Sequence, residues 1–429
     1  MNPFQDIFSF ARLQHLHIAG RFLVFAIILI PTMRVFFYPL AEGNTLQFIF
    51  FIMISLLEIL FISAFLITRR QYNYPINHLP FLLWIGFLIW IIAALFNIPN
   101  MPSQAGGIIV TMQFFIHFCF FVALSSYLKS QPSAGRILIF SILFSAVIFM
   151  PFFWLKLYGT YDNQGFNWVW SLPGFENVRH LDYFLGSLTT ILGLALLTKS
   201  FENCSKIFKG LVFLMLFILW VMLFWSGGRG SSIAAVATIG GTLIFFKPAG
   251  WRKILRVNIL VLVLAVATST MLPVPHLSYG IFRFAAHILE GQDIAAFSAG
   301  RTALWAEAIK IWQQNIWFGI GAGQTKTVIQ FASSVHGQPH NIVIQALLAW
   351  GIVGGAPFLG AIFTPFWTRG WAFHRAHRQY DMIHLIAYGL ALSITLNALV
   401  DGTLYYPFPI FLFIIAISVA RNNCNKSIC

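Results

Sequence analysis

Five polar side chains in this largely apolar chain are of types that bind phosphate or move a proton: Arg179, Arg229, Arg301, His340 and Asp401. A guanidinium presents a planar fork of N–H donors that matches phosphate oxygens. An imidazole titrates near neutral pH and can take a proton from a hydroxyl, and a carboxylate can orient either partner. These types predict a site that binds phosphate oxygens and contains a general base.

The strongest local pattern surrounds Arg229, in the segment Ser226-Gly-Gly-Arg-Gly-Ser-Ser232. Glycines on both sides let the backbone approach a ligand closely. Ser231 and Ser232 begin a predicted helix whose free N–H groups can hold an anion. The alternative is a glycine-rich turn whose Arg reaches to a membrane surface, and both interpretations stay open here.

The other candidates also have structural alternatives. Arg179 could form an ion pair with Glu176 or Asp182. Arg301 could simply be a residue at a helix terminus, where its charge is poorly placed for the helix dipole. A lone histidine such as His340 is commonly structural.

No metal or other cofactor is predicted. His336 and His340 have the spacing of a helical metal pair. Gly337 and Pro339 disfavour a helix between them, and neither Cys nor Glu completes a ligand set nearby. We therefore expect a site without a metal.

The elements that must hold these residues are membrane helices. Only 9% of the residues are charged and 59% are hydrophobic, whereas a soluble domain is about 25% charged, so an ordinary soluble enzyme and a disordered chain are both excluded. A bilayer core needs about 20 mostly apolar residues per helix. Twelve stretches meet this condition, namely 21–39, 47–68, 80–98, 107–127, 137–158, 181–198, 210–225, 231–246, 257–272, 341–366, 382–400 and 405–420.

The distribution of basic residues predicts how these spans are oriented. If both termini lie in the cytoplasm, 18 of the 26 Lys and Arg residues fall on cytoplasmic segments, as the positive-inside rule requires. The same rule accounts for the net charge of +14 without a nucleic-acid partner. All five candidate residues then lie at the outer face, which predicts a common site there.

One outer segment, 273–340, is too long for a plain connection, and such loops are often functional. Within it, segment 301–318 predicts a helix with a wide apolar stripe and three Trp residues. Such a helix suits the membrane interface or packs on the outer ends of the spans. The motif Gly319-x-Gly-x-Gly323 lacks the ending of a nucleotide-binding loop and predicts a turn.

Two ionisable residues, Glu58 and Arg34, lie inside predicted spans. Intramembrane ionisable residues are functional candidates by default. An ion pair between these two, which would lock two helices together, is an equally good prediction.

Motifs from Phe175 to Pro409 resemble those of the O-antigen ligase and polymerase superfamily of bacterial inner-membrane glycosyltransferases. Their order and spacing carry the resemblance, and residues 1–170 add only span number and hydrophobicity. The motifs are Asn177-Val-Arg179 before a span, Gly-Gly-Arg229-Gly at a hairpin, Gly300-Arg301-x-x-Leu-Trp305, Gly319-x-Gly-x-Gly323, Pro339-His-Asn341 followed by Gln345, Gly351 and Gly354, and Asp401-Gly402.

The resemblance implies an all-α integral membrane protein of the GT-C type, with about twelve transmembrane helices in a single polytopic domain over 1–429. Segment 273–340 would be a periplasmic loop with amphipathic helices, and 175–409 the ligase/polymerase-like region. The implied location is the bacterial inner membrane, surrounded by membrane lipids. No nucleic acid is expected as a partner.

The resemblance also implies a donor glycan on undecaprenyl diphosphate and transfer at the periplasmic face. The acceptor is a sugar hydroxyl of lipid A–core in ligases, another lipid-linked repeat in polymerases, and Ser or Thr in the protein-glycosylating branch. Arg179 before the sixth span favours a ligase, as does a chain that ends shortly after the twelfth span. The expected activity, part of lipopolysaccharide biosynthesis, is metal-independent and inverting.

On this interpretation His340 activates the acceptor hydroxyl and Asp401 orients His340 or an arginine. Arg179 and Arg229 grip the diphosphate, and Arg301 orients the donor or the acceptor. A transporter or flippase of lipid-linked glycans is the alternative from another functional class. It predicts inverted repeats and polar residues near the bilayer midplane.

Overall fold

The computed structural model describes most of the chain. The described residues are 16–37, 44–72, 81–161, 167–169, 172–175, 177–197, 199–274, 279–285, 300–331, 334–335, 337–375 and 382–421.

Helices dominate these residues. In chain order they are α1 Ile18–Phe37, α2 Asn44–Tyr72, α3 Phe81–Asn97, α4 Gln104–Ser130, α5 Ala134–Tyr161, α6 Val178–Ala195, α7 Lys199–Glu202, α8 Lys206–Trp225, α9 Arg229–Phe246, α10 Trp251–Ser269, α11 Arg301–Gln313, α12 Thr325–Val328, α13 Ile342–Arg375, α14 Met382–Ala398 and α15 Pro407–Arg421. Short 3-10 turns cover Ile98–Asn100, Gly280–Phe284 and Thr403–Tyr405. Two-residue strands, β1 Gln330–Phe331 and β2 Ser334–Val335, form an antiparallel pair.

The chain is an integral membrane helical protein. Each of the twelve predicted stretches overlaps one of these helices. Within the described residues, eight helices are long and apolar enough to cross a membrane: α1, α2, α3, α4, α5, α8, α9 and α13. Helices α14 and α15 are apolar but shorter, so a count of twelve spans stays a prediction, as does the GT-C type.

The middle of the bundle is formed by α6, α14 and α15, in which nearly every residue is buried. Helix α6 packs against α8, α9 and α14, and α15 packs against α14, α4 and α2. Because these helices face protein rather than lipid, they tolerate buried hydroxyls that bond across the interface. The hydroxyl of Thr190 on α6 donates to that of Ser393 on α14 at 3.0 Å.

Helix α13 is broken at Gly351, whose φ of 59° is unavailable to most side chains. The N–H groups of Ile320 and Gly321 donate to the carbonyls of Leu348 and Ala349, at 2.8 and 2.9 Å. The glycine-rich segment 319–323 thus docks against the break, as a turn should. A Cβ on Gly351 would lie 2.2 Å from the carbonyl oxygen of Trp317, which no side chain permits.

The helix predicted over 301–318 is shorter than expected, because α11 ends at Gln313 and the remaining residues form turns. Leu304 and Ala308 on α11 are fully buried against Leu348 of α13. The predicted packing onto a neighbouring span is therefore confirmed, and the location of the helix in the membrane interface, which is compatible with this packing, stays a prediction.

The predicted Glu58–Arg34 pair is wrong. Glu58 instead contacts His117 of α4, with Nδ1 of the imidazole 2.7 Å from Oε2. The Nε of Arg34 donates to the carbonyl of Gly174 at 3.0 Å, and its guanidinium lies 4.3 Å from the Phe50 ring centroid. Hydrophobicity located both residues in spans but did not reveal which helix faces which.

Candidate active site

His340 occupies a tightly specified turn just before α13. Its φ of 56° makes it one of two non-glycine residues with positive φ among those described, and such outliers often mark functional positions. Two contacts hold the turn. The carboxamide of Asn341 donates to the carbonyl of Leu399 at 2.8 Å, and the indole N–H of Trp305 donates to the carbonyl of Pro339 at 2.7 Å.

Asn341 also caps α13, because its side-chain oxygen accepts from the N–H groups of Val343 and Ile344. One residue therefore begins the helix and ties it to the end of α14, where Asp401 follows. This double role places His340 beside Asp401. The Pro339-His-Asn341 motif pointed to the place but not to this arrangement.

Asp401 joins His340 to Arg301. Its Oδ1 lies 3.1 Å from His340 Nδ1, and its Oδ2 accepts from Arg301 Nη2 at 3.1 Å. The N–H of Gly402 also donates to Oδ1, at 2.8 Å. The carboxylate thus orients both a histidine and an arginine, which from the sequence alone were alternatives.

Arg179 lies on the other side of the imidazole, with its Nη1 3.3 Å from His340 Nε2. A guanidinium can only donate, and a carboxylate can only accept. The contacts therefore assign the proton of a neutral His340 to Nδ1 and the lone pair to Nε2. Arg179 is held at the start of α6 by Asn177, whose side chain accepts from the Arg179 N–H.

A small polar pocket opens beside this group. Four arginines line it together with two carboxylates, so cations outnumber acids. Its lining is Arg179, Asp182, Tyr183, Gly227, Gly228, Arg229, Gly230, Ser231, Arg283, Arg301 and Asp401. His340 is not in this lining but contacts two of its walls, Arg179 and Asp401.

The five predicted residues therefore meet at one end of the bundle, although they come from five separate segments. Arg179 makes no ion pair with Asp182 in the described structure, because Asp182 instead accepts from the hydroxyl of Ser226. That alternative is wrong. The other proposed partner, Glu176, lies outside the described residues.

The glycines around Arg229 serve packing. A Cβ on Gly228 would lie 2.5 Å from the Asp182 carboxyl carbon, and one on Gly230 would lie 2.7 Å from the Asn397 side-chain oxygen. The turn that carries Arg229 thus fits closely against α6 and α14. Gly227, with φ of 80°, makes the reversal from α8 to α9.

Residues 214–359 match the family model described as O-antigen ligase. This region of the chain is similar to the O-antigen ligase family. The matched stretch is about a third of the chain and contains Arg229, Arg301 and His340. Arg179 and Asp401 lie outside it, but the fold brings them to the same site. A search of curated proteins finds no match to the chain.

Electrostatics within the candidate site favour a neutral imidazole beside an ionised carboxylate. Burial and the positive charges of Arg179 and Arg301 lower the pKa of His340 from its ordinary value, although Asp401 opposes this. Burial alone would raise the pKa of Asp401. The hydrogen bond from His340 and the charges of Arg301 and Arg179 outweigh burial, so this pKa lies well below its ordinary value.

Two residues of the candidate site were missed in the sequence. Arg283 lines the pocket, and burial together with the charge of Arg179 lowers its pKa. The sequence could have revealed Arg283, because it is another basic residue on a predicted outer segment, where the positive-inside rule disfavours it. Asp182 was considered only as a partner for Arg179, yet it forms a wall of the pocket.

Proposed function

We propose that this protein transfers a glycan from undecaprenyl diphosphate to a sugar hydroxyl of lipid A–core, at the periplasmic face of the bacterial inner membrane. The observation that carries the proposal is the pocket of four arginines placed directly beside the His340–Asp401 pair. The site offers positive charge for a diphosphate and a base for a hydroxyl, and the two are in direct contact through Arg179 and His340. The family of the matched region supports the same reaction class.

His340 is the base in this proposal. Its Nδ1–H donates to Asp401, so Nε2 carries the lone pair that takes the proton of the acceptor hydroxyl. The lowered pKa keeps the imidazole neutral at the pH where it must accept that proton. The acceptor oxygen then attacks the anomeric carbon of the donor. At the same time the bond between that carbon and the diphosphate oxygen breaks, and its electron pair leaves with undecaprenyl diphosphate. Direct displacement inverts the anomeric configuration.

The arginines bind the diphosphate and stabilise its developing charge. Arg179 and Arg229 are the principal contacts, and Arg301 is steered by Asp401 toward the same pocket. A hydrogen bond to a charged group contributes about 1.5–3 kcal/mol, so two or three such bonds can supply the charge stabilisation that a metal provides in other glycosyltransferases. We therefore propose a metal-independent reaction.

Arg179 takes part both in binding the diphosphate and in controlling the base, His340. In the described structure its guanidinium donates to the Nε2 lone pair that the mechanism needs. A diphosphate in the pocket is a stronger acceptor than a neutral imidazole. Donor binding therefore draws Arg179 off His340 and frees the base, so the donor should bind before the acceptor reacts.

The test is transfer in vitro by the purified protein, with undecaprenyl-diphosphate glycan, lipid A–core and a chelator. Glycan on lipid A–core, unaffected by the chelator, is expected. Elongation of the lipid-linked glycan alone would make the protein a polymerase, and glycan on Ser or Thr of an added protein would place it in the protein-glycosylating branch. Movement of intact donor across a bilayer without transfer would favour a transporter.

A further inference from the structure

An apolar groove runs along α15. It is bounded by α3, α4 and α13 and extends from Leu404, near Asp401, to Arg421 at the other end of α15. Leu82 and Leu88 of α3 are largely exposed beside it. In a membrane this face meets lipid chains, so a hydrocarbon chain is the natural occupant.

Two ionisable residues, His117 and Arg421, interrupt the apolar lining. The guanidinium carbon of Arg421 lies 5.3 Å from the ring centroid of Phe121, inside the groove. The charge of Arg369, on α13, acts unfavourably on that of Arg421, so Arg369 lies near the groove although it does not line it. Within the described chain neither arginine pairs with a carboxylate, so this end of the groove carries two cations and lacks an anion.

His117 presents a buried polar atom to the same groove. It is 3% exposed, Glu58 is fully buried, and Nδ1 lies 2.7–2.8 Å from both carboxyl oxygens. Its Nε2 has no hydrogen-bond partner within the described structure. A net charge inside the bilayer is costly, so the pair is neutral overall. Whether the shared proton lies on Glu58 or on Nδ1, Nε2 then carries a hydrogen.

The spacing of these two groups fits one molecule. His117 and Phe121 are four residues apart on α4, so they are separated by about 6 Å along the helix. A phosphate held at Phe121 by Arg421 would put the ester carbonyls of a glycerophospholipid one glycerol unit further along, at His117. The apolar remainder of the groove, with Trp90 and Phe114, would then take an acyl chain.

We propose that this groove is a binding site for an anionic glycerophospholipid of the cytoplasmic leaflet. Arg421 and Arg369 hold its phosphate, and His117 Nε2 donates to an ester carbonyl. Basic pockets between helices on the cytoplasmic side of membrane proteins recognise acidic headgroups in this way. A polyprenyl chain fits less well, because it has no oxygen to accept from His117. The site is independent of the transfer reaction.

The test is titration of the delipidated, detergent-purified protein with phosphatidylglycerol, with bound lipid counted by native mass spectrometry. Arg421→Gln/Arg369→Gln should weaken binding about tenfold or more, since it removes charge-assisted bonds to phosphate. Arg375→Gln is the matched control, because it removes a cation from the same end of α13 that stacks on Trp371 and, unlike Arg369, does not act on Arg421. It should bind like the wild type. Equal binding by the double variant would overturn the proposal.

The ester contact needs no substitution to test. An ether-linked phosphatidylglycerol keeps the phosphate but lacks the ester carbonyls, and it should bind the wild type about threefold to tenfold more weakly. Replacing both members of the buried pair, Glu58→Leu/His117→Phe, should abolish this preference. If the wild-type protein binds both lipids equally, the contact from His117 is wrong, and with it the proposed position of the lipid.

Discussion

Arg179 Nη1 lies 3.3 Å from His340 Nε2, whereas the Asp401 carboxylate contacts the other ring nitrogen, Nδ1. The histidine is therefore held between a donor and an acceptor, which assigns its tautomer and its orientation together. The positive neighbour also favours the neutral imidazole. This contact connects the arginine pocket to the proposed base.

Removal of the Arg179 charge should shift the pH dependence of transfer. Arg179 lowers the pKa of His340, so Arg179→Gln should raise it. Because the base must be unprotonated, activity is lost on the acid side as pH falls through this pKa. The acid-side fall of kcat/KM should therefore move to higher pH in the residual activity of the variant. A fall at unchanged or lower pH would contradict the role of Arg179.

Asp401→Asn should lower kcat without abolishing donor binding. The amide would no longer provide two charged acceptors for His340 and Arg301, and it could present its N–H₂ group to His340 Nδ1. Both changes disfavour the tautomer of His340 that has its proton on Nδ1 and its lone pair on Nε2. We expect kcat to fall by at least about a hundredfold, measured with saturating donor. A decrease confined to KM would show that Asp401 acts in binding alone.

Arg229→Lys should weaken donor binding although it conserves the charge. A lysine presents a point charge and cannot reproduce the planar fork that matches a diphosphate. A tenfold to hundredfold loss in affinity for undecaprenyl diphosphate is expected, about the worth of one charge-assisted hydrogen bond. Arg252→Lys, on α10 and away from the pocket lining, is the matched control. Equal affinity in both variants would remove Arg229 from the diphosphate site.

The glycines near Arg229 should matter for packing. Gly228→Ala would put a Cβ against the Asp182 carboxyl group, whereas Gly240→Ala on α9 meets nothing within 4 Å. Overpacking of this kind costs about 1–3 kcal/mol. The melting temperature of purified Gly228→Ala protein should therefore be clearly lower than that of Gly240→Ala. If the two are equally stable, the close fit between α6 and α9 is not required.

Much of this fold follows from hydrophobicity, because the bilayer demands long apolar helices and twelve such stretches are visible. The contacts between helices do not follow. Arg34 and Glu58 looked like partners because both are ionisable and lie in spans, but Glu58 faces His117 instead. The end of α11 at Gln313 was missed because the apolar pattern continues through Trp317, which is exposed at the following turn.

The candidate site was more predictable than the contacts between helices. Basic residues on outer segments conflict with the positive-inside rule, and that conflict singled out Arg179, Arg229 and Arg301. The same reasoning, applied to Arg283, would have found it. The double contact of Asp401 was beyond the sequence, because it depends on how Asn341 ties α13 to the end of α14.

The most direct test of the account is the rate of glycan transfer to lipid A–core by His340→Asn, measured together with donor affinity. Asparagine tolerates the left-handed backbone at this position, so the turn should persist while the base is lost. The account predicts a rate about 10²- to 10⁴-fold lower, with affinity for undecaprenyl diphosphate close to that of the wild type. Near-normal transfer by the folded variant would contradict it.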